Sequence, residues 1–241
     1  MMRKLVLFAL SLMGAAMILG GCVGVGGTHR ATGDVISRTF DVGDFNAISI
    51  GGSREIIFRQ SENSSVTIEM RESLFDITQV YVRSNTLHVY TRGSVTNPGT
   101  QRVYVYAPTL QAASISGSSN AADWDVVSIG SFSLTASGSA NIAIPLDVEN
   151  LTVNASGSGR VELSGRADNA DITRSGSGSV LAFDLQTQNA SVARSGSSRV
   201  EISVSDSLNV VSSGSGSVRY RGNPGSVNTS VSGSSTVSRV D

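Results

Sequence analysis

In the second half of the chain apolar and polar positions alternate with a period of two, and the alternation restarts at a near-constant interval. The tripeptide Ser-Gly-Ser begins at Ser116, Ser137, Ser156, Ser175, Ser195, Ser213 and Ser232, at intervals of 21, 19, 19, 20, 18 and 19 residues. Five residues after each of these serines stand Ala121, Ile142, Val161, Val180, Val200, Val218 and Val237, all apolar. Two further on come Ile144, Leu163, Ala182, Ile202 and Tyr220, while Asn141, Arg160, Ser179, Arg199 and Ser217 precede the first set. Such alternation predicts a strand with one buried face. Counting back from the next serine gives Phe132, Leu151, Ala170, Ala190, Leu208 and Val227, then Leu134, Val153, Ile172, Val192, Val210 and Thr229, two residues nearer. This is a second strand in constant register, so the variation in length falls between the two strands, in segments 145–149, 165–168 and 184–188.

Laps of about 19 residues with two strands and a variable third side predict a three-sided β-solenoid. One coil cannot bury its apolar face alone, but a stack encloses a narrow continuous core. An antiparallel sandwich would not need the same register on every lap. At about 4.8 Å per lap, seven starts imply a rod roughly 30 Å long. Gly117, Gly138, Gly157, Gly176, Gly196, Gly214 and Gly233 occupy every corner, and the residue two further on is always Ser, Ala or Gly. Both positions are expected to point inward where backbones crowd, with the flanking hydroxyls bonding up the stack. Residues 40–115 lack the tripeptide but predict strands over 47–50, 55–58, 66–70, 80–82, 87–90 and 103–106, read as irregular starting turns that cap the rod. Residues 40–241 thus form one domain, divided at 115/116.

Gly and Ser exceed a quarter of the 241 residues while aromatics number only 13, which suits a thin core of small aliphatic side chains. The net charge of −1 offers no basic surplus for nucleic acid. The N-terminus reads differently. Met1-Met2-Arg3-Lys4 precedes an uncharged run over residues 5–19 that is short for a membrane span and has the layout of a signal peptide. Leu19-Gly20-Gly21-Cys22 resembles the lipobox of bacterial lipoproteins. By that resemblance residues 1–21 are a removed leader, and Cys22, the sole cysteine, is acylated (palmitate among the chains) and anchors the protein in the membrane. Val23 in the second mature position leans towards the outer membrane. Residues 22–39 are expected to be the lipidated cysteine and a flexible tether.

Beyond the laps, Phe45-Asn46-Ala47-Ile48, Gly51-Gly52-Ser53, the Leu87 strand, the segment Val103-Tyr104-Val105-Tyr106-Ala107-Pro108-Thr109-Leu110 and Tyr220-Arg221-Gly222-Asn223-Pro224 form an ordered set. In that order they resemble the auto-transporter adhesin head GIN domain family, over roughly residues 45–237. The resemblance implies a right-handed parallel β-helix, export to the envelope and an adhesive role, and it carries over no catalytic residue. The lap from Ser116 departs from the pattern, with Asp123-Trp124-Asp125 where other laps carry an apolar strand end.

Catalytic chemistry finds little support. Only His29 and His88 are present, no Gly-x-Ser-x-Gly elbow occurs, and the Gly-Ser-Gly triplets at 157, 176 and 214 lack the third glycine and the helix of a dinucleotide fingerprint. Glu162 and Glu201 share an outward column two laps apart, about 9.6 Å by strand spacing, with Leu181 between them and Arg219 after. A pair of carboxylates would serve a glycosidase, but Glu201 is expected to pair with Arg219. Arg174 and Arg194 each precede a Ser-Gly-Ser on consecutive laps. Guanidinium forks suit carboxylate, sulfate or phosphate, so this corner is a candidate contact for an anion or glycan, against simple splaying into water. Altogether the sequence points to a non-catalytic, lipid-anchored envelope protein without cofactor or metal, whose solenoid surface meets a glycan or an envelope protein. A carbohydrate-active β-helix enzyme or carbohydrate-binding module, and a structural spacer or sensor ectodomain, are the alternatives.

Overall fold

Strand follows strand along residues 27–241, the part of the chain that the computed structural model describes; the leader and Cys22 lie outside the described residues. The first nine strands are β1 (Thr28–Arg30), β2 (Val35–Phe40), β3 (Ala47–Ile50), β4 (Glu55–Gln60), β5 (Ser65–Arg71), β6 (Thr78–Arg83), β7 (Thr86–Thr91), β8 (Ser94–Thr96) and β9 (Arg102–Ala107). A single 3-10 turn, Glu72–Leu74, lies among them. The laps follow with β10 (Ala112–Ile115), β11 (Asn120–Trp124), β12 (Val127–Ala136), β13 (Asn141–Ala155), β14 (Arg160–Arg174), β15 (Ser179–Arg194), β16 (Arg199–Ser212), β17 (Ser217–Arg221), β18 (Ser226–Val231) and β19 (Thr236–Arg239). Among the described residues no helix is long and apolar enough to cross a membrane.

The laps stack in parallel and in the expected register. Ala121, Ile142, Val161, Val180, Val200, Val218 and Val237 pair in one column, and Phe132, Leu151, Ala170, Ala190, Leu208 and Val227 in another. The inward members are buried in a single continuous core until the last lap, where Val227 and Val231 are exposed. The third side is more ordered than its variable length suggests. From β13 to β16 each lap is one long strand broken only at the Ser-Gly-Ser corner, and the third side buries its own column. There Leu146, Gly165 and Leu185 stack, so a glycine separates two leucines, as do Val148, Ala167 and Thr187.

All seven corner glycines adopt positive φ, from 73° to 94°. Their place differs from the expectation of an inward position: they lie at the surface, and their missing Cβ would point along the stack. At Gly138 it would stand 2.6 Å from Gly117 O of the lap beneath. Nor do hydroxyls carry the corner ladder. The backbone does, with Ser139 N–H donating to Gly117 O at 2.8 Å and Ser158 N–H to Gly138 O at 2.9 Å, and so on up the rod. Side-chain ladders form elsewhere. Asn189 Nδ2 donates to Asn169 Oδ1 and Asn169 Nδ2 to Asn150 Oδ1, at 3.1 and 3.0 Å.

The capping region contains two regular laps whose order in the stack is not their order in the chain. β3 pairs in parallel with β10 and β7, and β4 with β11 and β9. Residues 47–60 therefore lie directly under the first Ser-Gly-Ser lap, and residues 86–107 lie under them. Beyond, the geometry turns antiparallel: β5 joins β9 and β2, and β6 joins β7, closing this end over Val66, Ile68, Met70 and Leu74. The expected tether is correspondingly shorter. β1 pairs in parallel with β8, Ala31 is buried, and β2 belongs to the cap. The aberrant Asp123-Trp124-Asp125 also has a reason. Trp124 packs on Phe58 and donates Nε1–H to Ile56 O at 3.0 Å, while Asp123 pairs with Arg59 at 2.7 Å.

Candidate functional site

On the outer face that follows each Ser-Gly-Ser corner, strand alternation stacks Ala143, Glu162, Leu181, Glu201 and Arg219 in one column. Glu201 accepts a hydrogen bond from Arg219 Nη1 at 3.1 Å, as expected, and Arg199 Nη1 lies 4.0 Å away. Glu162 is bound by Arg160 on its own strand. Both carboxylates of the column are thus held by guanidinium groups.

Beside this column the lap that begins at Ser175 carries one residue more than the 19 of the lap beneath it. The pairing of β14 with β15 slips there, from Glu162 opposite Leu181 to Ser164 opposite Asp184. This is a β-bulge, and its effect is to re-aim a side chain. Phe183 emerges half-buried at the surface, with the guanidinium of Arg221 over its ring at 4.2 Å and that of Arg219 at 5.9 Å. The result is an open groove of about 550 Å³, lined by Glu162, Leu181, Phe183, Asp184, Glu201 and Arg221 among others. An aromatic ring capped by a guanidinium and flanked by further hydrogen-bond donors and acceptors is suited to a polar ligand with apolar C–H edges. Among the described residues no group of three or more His, Cys, Asp or Glu is placed to hold a metal ion. Sequence reasoning found the charged column but missed Phe183, although the 20-residue lap was its signal.

Arg174 and Arg194 do sit on consecutive laps, paired across β14 and β15, but not as solvent-facing groups. They continue the inward column of Ile115, Ala136 and Ala155 and are only 1% and 3% exposed. Arg174 Nη2 donates to Gly157 O at 2.8 Å and Gly159 O at 3.4 Å. Arg194 spends all five donors: Nε on Ser212 Oγ, Nη1 on Gly196 O and Ser198 O, Nη2 on Ser213 O and Ser235 Oγ, at 2.6 to 3.1 Å. Burial pushes both guanidinium groups below their usual pKa. The candidate anion or glycan contact and the alternative of splaying into water both place these groups at the solvent, and their burial corrects that premise. The same parity that points Ile172 inward points Arg174 inward, and the corner carbonyls take the place of water or of an external anion. Cys22, the lipidation candidate, lies outside the described residues.

Known proteins place this geometry. The solved structure of a putative adhesin from Bacteroides fragilis superimposes with a TM-score of 0.83 at 24% identity, over 88% of this chain and 99% of that one. A putative lipid binding protein from Parabacteroides distasonis gives 0.74 at 21% identity, over 89% and 100%. A putative adhesin from the same species gives 0.71 at 25%, over the same shares. No curated protein gives a significant match. Residues 44–224 match the model of the family described as "Putative auto-transporter adhesin, head GIN domain", and the chain belongs to that family.

Proposed function

We propose that this chain is a non-catalytic, lipid-anchored protein of the bacterial envelope that binds a glycan in the groove at Phe183. Family membership supports an adhesin-like role. The observation that carries the site is the bulge. An extra residue interrupts an otherwise regular ladder and lifts an aromatic ring to the surface beneath two guanidinium groups. A spacer gains nothing from that interruption, whereas a sugar finds in this groove the apolar edge of the Arg221-capped ring beside carboxylate and guanidinium hydrogen-bond partners. Arg160 holds an oxygen of Glu162 and Arg219 one of Glu201, so both carboxylates are engaged by the protein's own side chains, which favours binding over hydrolysis.

The test is retention of soluble chain lacking residues 1–22 on peptidoglycan sacculi and on capsular polysaccharide. Saturable binding to one of them is expected, weakened at least tenfold in Phe183→Ala with no change in melting temperature. Equal retention of the variant would overturn the assignment of the groove, and release of reducing sugar over time would overturn the non-catalytic reading.

A further inference from the structure

A third buried arginine, like Arg174, leaves part of its donor set unused, and it lies beside a cavity. Arg54 follows Gly51-Gly52-Ser53, the counterpart one lap down of Ser116-Gly117-Ser118, so it occupies the inward position of Ser119. It is 3% exposed. Its Nη1 donates to Gly51 O and its Nη2 to Thr91 Oγ1, and its buried Nε has no partner. Two of five donors are thus engaged, against five of five in Arg194. Among the described residues no carboxylate pairs with it, and burial pushes its pKa down to about 10.

The space around it has a clear origin in the register. Ile50 pairs with Val89 and Glu55 with Arg102, so four residues (51–54) face twelve (90–101) in the lap below. The surplus swings outward, where β8 pairs with β1. No tight glycine corner packs under Gly52, and a cavity of about 280 Å³ remains, lined by Gly52, Ser53, Arg54, Tyr90, Thr91 and Gln101 among others. Its wall offers hydroxyls and an amide around a buried cation that lacks a counter-charge.

We propose that this cavity binds a small oxyanion, the carboxylate of a sugar acid or an inorganic sulfate or phosphate, through donors of Arg54 left unused by the protein. The site is separate from the Phe183 groove and does not rest on it. The cavity volume limits the ligand to about one monosaccharide, and a charge-assisted contact with a buried guanidinium favours an anion over its neutral analogue.

Calorimetric titration of the soluble chain with glucuronate, sulfate, phosphate and glucose tests this. One saturable site for at least one anion is expected, at least tenfold tighter than for glucose, and the ranking of glucuronate against the inorganic ions identifies the source. Arg54→Gln is expected to lose that site. Because loss of Arg54 threatens folding, Ser53→Trp provides the second arm: Ser53 is exposed at the rim, so the indole blocks entry while the melting temperature stays within a few degrees. Anion binding unchanged in Ser53→Trp, glucose bound as tightly as glucuronate, or no saturable heat with any anion would each overturn the proposal.

Discussion

Arg174 and its surroundings show how far a single position depends on its neighbours in the stack. The guanidinium fits because residue 178 is a glycine; a Cβ at Gly178 would overlap Arg174 Nη2, and one at Gly216 would overlap Arg194 Nη1. Laps without an inward arginine place Ser119 or Ala140 there instead. The two arginines differ in satisfaction, which separates their contributions. Arg174 leaves Nε buried and unpartnered, so Arg174→Met, of similar volume, should leave stability unchanged or raise it. Arg194→Met removes five hydrogen bonds and should cost about 1–3 kcal/mol in urea unfolding, since bonds to charged donors are worth more than neutral ones. Equal losses in both variants would show that volume alone matters. Buried Val180 marks the register in the same way: Val180→Asp should cost several kcal/mol, and Ser179→Asp on the outward column little. The inward column was legible in the sequence because Val, Ile and Leu dominate it. Arg174 and Arg194 were misread because charge suggested solvent where parity already pointed inward. Arg54 was missed altogether, because one arginine after Gly-Gly-Ser carries no periodic signal.

At the scale of the strand and corner, steric demand along the rod fixes the repeat. Gly138 has φ of +80°, and a Cβ there would stand 2.6 Å from a backbone oxygen that has no room to retreat. Gly138→Ala should therefore cost about 1–2 kcal/mol from the left-handed conformation alone, and more from displacement of the lap beneath. Gly130 is the control, since its nearest neighbour would be Glu149 Oε2 at 4.0 Å and its φ is not positive. Thermal melts should show Gly130→Ala close to the parent chain and Gly138→Ala well below it; coincident curves would remove the steric account. The strands of the laps could be read from period two and constant register, and six of the cap strands from their β-branched and aromatic runs. The third side could not, because Leu146, Gly165 and Leu185 form a column only once the laps are stacked, and along the chain they look unrelated. The parallel pairing of β1 with β8 was hidden for a similar reason. Neither strand exceeds three residues, and neither alternates clearly.

The two ends of the molecule are built differently, and this gives the rod a direction. Antiparallel strands close the N-terminal end, whereas β18 at the other end is exposed along its whole length. Between Cys22 and β1 stand only the five residues 23–27. Fully extended they reach at most about 18 Å, at up to 3.6 Å per residue. If Cys22 carries the lipid, the cap must lie close to the bilayer and the laps must lead away from it. Two measurements check this. Cys22→Ser should accumulate as uncleaved or unanchored protein outside the detergent phase, and normal processing of that variant would remove the anchor. In the acylated protein the cysteine thiol is consumed, so a fluorophore can be placed selectively at Ser94→Cys in the cap or at Ser238→Cys in the last strand, both exposed in the parent chain. Energy transfer to labelled lipid headgroups should be much stronger from position 94, because eight steps of about 4.8 Å from the lower cap lap to the last Ser-Gly-Ser lap separate the sites by roughly 38 Å along the rod. Equal transfer from both positions would mean that the rod lies along the membrane, with the Phe183 groove no farther from the lipid than the cap.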